Sequence, residues 1–363
     1  MKRIVCLWLL MLSSLGHAVQ VSNLYSAVVQ VPASLDDRQL LNRAFNEAID
    51  DVLARVSGQQ QDISSRVTQK AHQSAASWVA QHSVQDVIDT IDVANGPEAA
   101  KEIHVTFYKE SVDSFLFDND LPVWGDNRPS ILVWLVEDKT GERQIFGANQ
   151  PSPVLSSFFE SAKSYGLPVY APLVDATDLN KLSVGSLWGF FEEDIQQASE
   201  RYQTDITLAV RISTYNGESV VDTMLLSRNQ SSDFLSVTKP TQQEAVEEVL
   251  VRLAALLSDR YASIKTLTPQ EMYVQVDGVR NYTAMSTLRQ YISSMGIVKQ
   301  VQLKSIVEGQ VGLDILLNGT PEKFANTVAL NSVLSSSLQT AGMTDPLLNS
   351  LHYQYTGKGK IND

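Results

Sequence analysis

The alternation of apolar and polar positions changes rhythm along the chain, and the changes mark three folding units after residue 18. In the first, over residues 19–120, VQVSNLYSAVVQVP alternates with the period of a strand. SLDDRQLLNRAFNEAIDDVLARVSG then repeats near every 3.6 residues, placing Leu41, Phe45, Ala48, Ile49, Val52, Leu53 and Val56 on one helical face. Ser34 and Asp37 stand at capping-box spacing, and Gly58 is suited to the left-handed residue that closes a helix. A second helix is expected over 67–81, a strand pair over 84–93 and 101–108, and a short helix around Val112, Phe115 and Leu116.

The second unit covers residues 131–265. ILVWLV (131–136) is apolar on both alternating faces, the mark of a strand covered on both sides. A turn at Thr140-Gly141, a helix over 154–165 closed by Gly166, a strand over 167–173, a helix over 186–202 and a strand over 205–213 follow. Asn216-Gly217 predicts a hairpin into VVDTMLL (220–226), and a helix over 241–263 closes the unit. Strands alternating with helices predict a mostly parallel α/β sheet. The third unit, residues 266–363, reads strand, helix, hairpin around Glu308-Gly309, helix capped by Thr320 with Pro321 at its first position, and a last strand LHYQY. That order, βαββα with a final β, predicts a ferredoxin-like sandwich. The fold class is therefore multi-domain, α/β and α+β: a central mostly parallel α/β sheet flanked by an N-terminal α+β domain and a C-terminal ferredoxin-like βαββα domain.

Between the first two units lies LPVWGDNRPS, residues 121–130, where Pro122, Gly125 and Pro129 bracket a turn and forbid a continuing helix. It is expected to be a hinge, with Trp124 packed between the domains.

The first 18 residues change where the protein is expected to act. Lys2 and Arg3 precede an apolar run over 4–12, and Gly16 and Ala18 supply the small-residue end of a secretory signal. The run is short of the ~20 residues a bilayer span needs. The mature chain is expected to start at about Val19, in the periplasm. Cys6, the single cysteine, falls within the signal, so a mature chain would use neither disulfides nor thiolate ligands. Removing Lys2 and Arg3 takes 28 basic residues to 26 against 41 acidic, a net charge of −15. With no basic cluster, nucleic acid is not an expected partner.

Chemistry is sparsely signalled. No G-x-G-x-x-G, G-x-x-x-x-G-K-[ST] or G-x-S-x-G occurs, and His72, His82, His104 and His352 form no metal-binding motif, so no cofactor is expected. Ligands of open α/β sheets sit beyond the carboxyl ends of parallel strands. Asp138, Asp175 and Asp178 follow two such strand ends and are candidate ligands of a hard divalent cation, against the plainer reading of turn and cap residues. Trp124, Asp126 and Arg128 are the candidate binding residues, Trp124 and Arg128 being the ones that would face outward toward a sugar or peptide, against the plainer reading of core or interdomain packing. Trp134 and Trp188, the latter beside Phe190 and Phe191, read as core.

RVSG (55–58), LPVWGDNRPSILVWL (121–135), GLPVYAPLVDATD (166–178) and WGFFEEDIQQASERYQTDITLAVRI (188–212) resemble an uncharacterised family of exported proteobacterial proteins, a domain of unknown function, over roughly residues 20–260. The resemblance implies a periplasmic protein and brings no activity, cofactor or catalytic residue. The middle unit also resembles in topology the small α/β domains of envelope accessory proteins, which says nothing of function. The expected function is non-enzymatic, through contact with other envelope proteins; the alternatives are a cation-dependent hydrolase at the aspartates and a glycan-binding protein at Trp124.

Overall fold

A computed structural model of the chain describes residues 23–93, 96–227, 231–264, 269–330, 333–336 and 350–357. The export segment expected over 1–18 lies outside them. The described residues form a mixed α/β, multi-domain-like structure around three separate sheets. Among them no helix is long and apolar enough to cross a membrane.

The first sheet joins β1 (Ser26–Pro32), β2 (Val79–Val93) and β3 (Gly96–Phe107) in the order β1-β3-β2, antiparallel throughout. The helices α1 (Asp37–Ser57), α2 (Ser65–Trp78) and α3 (Lys109–Asp118) bury their apolar sides with it in a core from Leu24 to Val123. α1 starts at a different cap from the one expected. Asp36 takes the N-cap, accepting the Gln39 N–H at 2.9 Å, while the Ser34 N–H goes to the Glu98 carboxylate. Gly58 closes α1 in the left-handed region at φ 68°.

The second sheet comprises β4 (Ile131–Lys139), β5 (Glu142–Phe146), β6 (Val169–Tyr170), β7 (Ile206–Tyr215), β8 (Glu218–Ser227) and β9 (Asp233–Lys239). Its order is β5-β4-β7-β8-β9, with β6 on β4. It is mixed, which corrects the mostly parallel expectation: only β4–β6 and β4–β7 are parallel. Pairs β4–β5, β7–β8 and β8–β9 are antiparallel. The physical reason lies in the turns. Thr140-Gly141 and Asn216-Gly217 both have positive φ at each residue, and a two-residue turn can only join antiparallel strands. α4 (Pro153–Ser164) and α8 (Gln242–Tyr261) cover one face, over Ile131, Val133, Leu208 and Val210. The short α5 (Ala176–Lys181), α6 (Val184–Trp188) and α7 (Glu192–Ser199) cover the other, over Leu132, Trp134 and Ala209. The helix expected over 186–202 is thus broken, at Gly189-Phe190.

The third unit contains β10 (Gln270–Asp277), α9 (Tyr282–Ser293), β11 (Val298–Val307), β12 (Gln310–Leu317), α10 (Pro321–Ala329), β13 (Leu334–Ser336) and β14 (Ser350–Tyr355), in sheet order β11-β12-β10-β14-β13. β10 and β11, joined by α9, flank β12, and β14 runs parallel to β10, which departs from the ferredoxin-like expectation. β13, antiparallel to β14, has the direction a ferredoxin-like last strand would take, and β14 turns back to insert between it and β10.

Candidate functional site

The segment 121–130, expected as a hinge, is hydrogen-bonded to the ends of α1, α4 and α8. A helix leaves its last four carbonyls without intrahelical donors. Those of α1 are all met across the joint or by its closing glycine. The Gly58 N–H donates to the Ala54 carbonyl, the Trp124 N–H to Val56 at 2.7 Å, and the Ser258 hydroxyl of α8 to Ser57 at 2.6 Å. The Arg55 carbonyl accepts from Arg128 Nη2 at 2.7 Å. The end of α4 is met in the same way. Arg55 Nε donates to the Ser164 carbonyl at 2.9 Å, and Arg128 Nη1 to Tyr165 and Gly166 at 3.0 Å each. Arg128 completes its set with the Trp124 and Gly125 carbonyls and stacks 4.1 Å from the Trp124 ring. Two helix C-termini, each carrying partial negative charge, therefore converge on one buried guanidinium.

This arrangement overturns the outward-facing expectation for the pair. Arg128 is 0% exposed and Trp124 1%, because five carbonyl acceptors and an indole face hold the guanidinium inside. Burial, followed by the like charge of Arg55, pulls the Arg128 pKa down to about 9, still above neutral. Asp126 is half-buried in the same turn, and its carbonyl accepts the Arg128 backbone N–H. The gap beside Trp124, lined also by Tyr261, Ser263 and Ile297, measures about 10 Å³, room for about one water and not for a sugar.

The aspartates are likewise committed internally. Asp175 caps α5, accepting the Asp178 N–H at 3.0 Å. Arg201 binds both, at 2.9 Å to Asp175 and 3.0 Å to Asp178. Asp178, 1% exposed, also accepts the Tyr202 hydroxyl at 2.6 Å and the Val174 N–H at 2.9 Å. The network holds Val174 at φ 55°, a costly conformation for a β-branched residue. Hydrogen bonding by Arg201 keeps the Asp175 carboxyl below the usual range, and burial followed by the Asp178 bond pushes the Tyr202 phenol up to about 12. Asp138 does not join them. It accepts the Gly141 N–H at 2.8 Å and Arg143 Nε at 3.0 Å, which hold its carboxyl low. Among the described residues no group of three or more His, Cys, Asp or Glu is placed to hold a metal.

The surface with the composition of a binding site lies instead on the face of the second sheet that α5–α7 cover, around Arg211 of β7 and Phe234 of β9. Arg211 of β7 lies opposite Asp222 of β8 and bonds it at 2.9 Å. With Arg143 it brackets Trp188: the guanidinium carbons lie 4.0 Å (Arg143) and 5.7 Å (Arg211) from the indole. Arg211 also donates to the Trp188 carbonyl and lies 4.8 Å from the Phe190 ring. Phe190 sits at φ 54° between α6 and α7, and its ring lies 6.4 Å from Phe234 of β9. A Cβ on Gly189 would stand 2.8 Å from the Phe191 ring. Phe191 is 59% exposed and Phe234 62%. Arginine and aromatic side chains are the types that dominate binding energy at protein interfaces. Of this set, sequence reasoning read Trp188 as core and noted Phe190 and Phe191 beside it; Trp188 packs partly buried against the core under α5–α7, and Arg143, Arg211 and Phe234 were missed.

The fold is thus a mixed α/β assembly with an aromatic–arginine surface on its central sheet. A family model described as a domain of unknown function (DUF8605) matches residues 18–125, which span the first unit and enter the joint. No curated protein and no solved structure matches the chain.

Proposed function

We propose that this chain is an exported, non-enzymatic protein of a proteobacterial cell envelope, built of three domains, that works by docking another envelope protein. The docking surface is the cluster of Trp188, Phe190, Phe191 and Phe234. The single observation that carries this is the exposure of Phe191 and Phe234 next to the arginine-bracketed Trp188. Exposed aromatics lose no water contact until a partner covers them, and a non-glycine residue with positive φ at the same spot is the kind of strain that functional surfaces retain. Export is supported by the basic start, apolar run and small-residue end of the first 18 residues. Hydrolysis at the aspartates loses support because Arg201 and Arg143 already neutralise them, and glycan binding because Trp124 is buried.

The test is a photoreactive phenylalanine analogue placed at 191 or 234 in the intact cell. A discrete adduct with one protein is expected at both positions and not at the exposed control Val28 of β1. An adduct pattern identical to that of Val28, or none, would refute the docking surface. Cytosolic retention of the mature chain would refute export.

A further inference from the structure

We infer that β9 pairs edge to edge with β9 of a second copy of this chain, antiparallel about a two-fold axis at Ser236. This goes beyond the docking reading and does not rest on it. β9 is the outermost strand of the second sheet among the described residues. It pairs with β8 from Asp233 to Lys239 without a break in register, so its outer edge is regular. The backbone N–H and C=O groups along such an edge can take up a further strand. β11, the outermost strand of the third sheet, is built differently. Lys299 and Lys304 fall at two breaks in its register with β12, and bulges and lysines keep an edge from pairing.

The residues of β9, DFLSVTK, select a copy of the same strand as the occupant. Set against itself in the antiparallel sense about Ser236, the strand places Asp233 opposite Lys239, Phe234 opposite Thr238 and Leu235 opposite Val237, each pair twice. Opposite charges, and an aromatic ring against a β-branched side chain, are cross-strand pairs that stabilise a sheet. The register is specific. A shift of one residue sets side chains of opposite faces across from each other, and a shift of two leaves neither charge opposite its complement. Phe234 is 62% exposed, so the second copy's Thr238 meets a ring that its own chain leaves uncovered.

The ion pairs already present extend this pairing. Asp233 is bonded by Arg260 of α8, and Lys239 lies 3.6 Å from Glu248 of α8. Across the axis, Arg260 and Asp233 are followed by the second copy's Lys239 and Glu248, four charges of alternating sign, and the same row recurs on the other side. There is room for the helices. α8 packs on both β8 and β9, and neighbouring strands lie about 4.8 Å apart. α8 and its copy therefore stand about 10 Å apart, the ordinary distance between packed helices. The axis is perpendicular to the sheet, so both copies turn Trp188, Phe190 and Phe191 to the same side, and two docking surfaces stand next to each other.

Two measurements on the chain without residues 1–18, which has no cysteine of its own, test the pairing. In sedimentation velocity the parent should form a dimer as its concentration rises. Asp233→Lys and Lys239→Asp each set like charges opposite one another at both ends of the paired strands, and each should weaken the dimer about tenfold or more. Mixed one to one they restore opposite charges at both ends, and the mixture should dimerise about as tightly as the parent. Under mild oxidation Ser236→Cys should give a disulfide-linked dimer, because the two residues face each other across the axis. Thr238→Cys, about 14 Å from its own copy in this register, should not. Circular dichroism checks that each variant folds; where a charge variant does not, the two cysteine variants decide. A parent that stays monomeric up to about 200 μM overturns the inference. So does a mixture that dimerises no more tightly than either charge variant alone, or an equal disulfide yield at 236 and 238.

Discussion

Replacing Arg128 by methionine keeps an unbranched apolar stem and removes the guanidinium with all five of its N–H donors. The carbonyls of Arg55, Trp124, Gly125, Tyr165 and Gly166 each lose one bond. A net hydrogen bond is worth about 1 kcal/mol, and stacking of a desolvated cation on tryptophan about 2 kcal/mol. Against this stands relief of the several kcal/mol it costs to bury a guanidinium. The balance is a loss of about 3–5 kcal/mol, with the stranded carbonyls as its main source. Arg128→Lys, with three donors and no planar fork, should lose somewhat less. Urea denaturation followed by tryptophan fluorescence measures the loss. Hydrogen exchange locates it: protection should fall at Gly58 and Leu167, whose N–H groups close α1 and α4. A loss below about 1 kcal/mol with unchanged exchange at both helix ends would refute the idea that these C-termini are joined through Arg128.

Gly58→Ala should destabilise by about 2–4 kcal/mol in the same urea assay, since an added Cβ meets Ser258 at 2.7 Å in a left-handed conformation that already costs about 1–2 kcal/mol. Asp178→Ala should cost about 2–4 kcal/mol by stranding the Tyr202 hydroxyl and the Val174 N–H, and calcium or magnesium should not raise the melting temperature of the parent chain. Because the folded-state pKa values of Asp138 and Asp175 are depressed, their contribution is present above the unfolded aspartate value of about 3.9 and is lost as pH falls through the lower folded values. An acid titration of Asp175→Asn should accordingly show a shallower loss of stability below pH ~4 than the parent. For Tyr202, raised to about 12, stability is present below the unfolded value of about 10 and lost as pH rises toward 12, so Tyr202→Phe should flatten the alkaline limb of a pH–stability curve.

Local periodicity by itself determined the long elements and the hairpin turns. The faces of α1 and α8, the doubly apolar β4 and the hairpin glycines each follow from residues a few positions apart. Strand direction was less legible. Thr140-Gly141 was visible as a turn, but the polar ERQIF after it carries no strand rhythm, so the antiparallel β5 went unseen. DFLSVTK was missed too, although it carries Phe234, the exposed ring of the proposed docking surface. Phe191 shows where local rules stop. In a continuous helix it would share the buried face of Leu187, Ile195 and Ala198, four residues from each of the first two. The left-handed turn at Phe190 resets the phase and swings the ring outward. Arg128 was misplaced in the opposite sense, since a charged residue in a Gly-Asp-Asn-Arg-Pro turn reads as exposed. Only tertiary structure brings two helix ends, far apart in the chain, close enough for their carbonyls to replace the water it gives up.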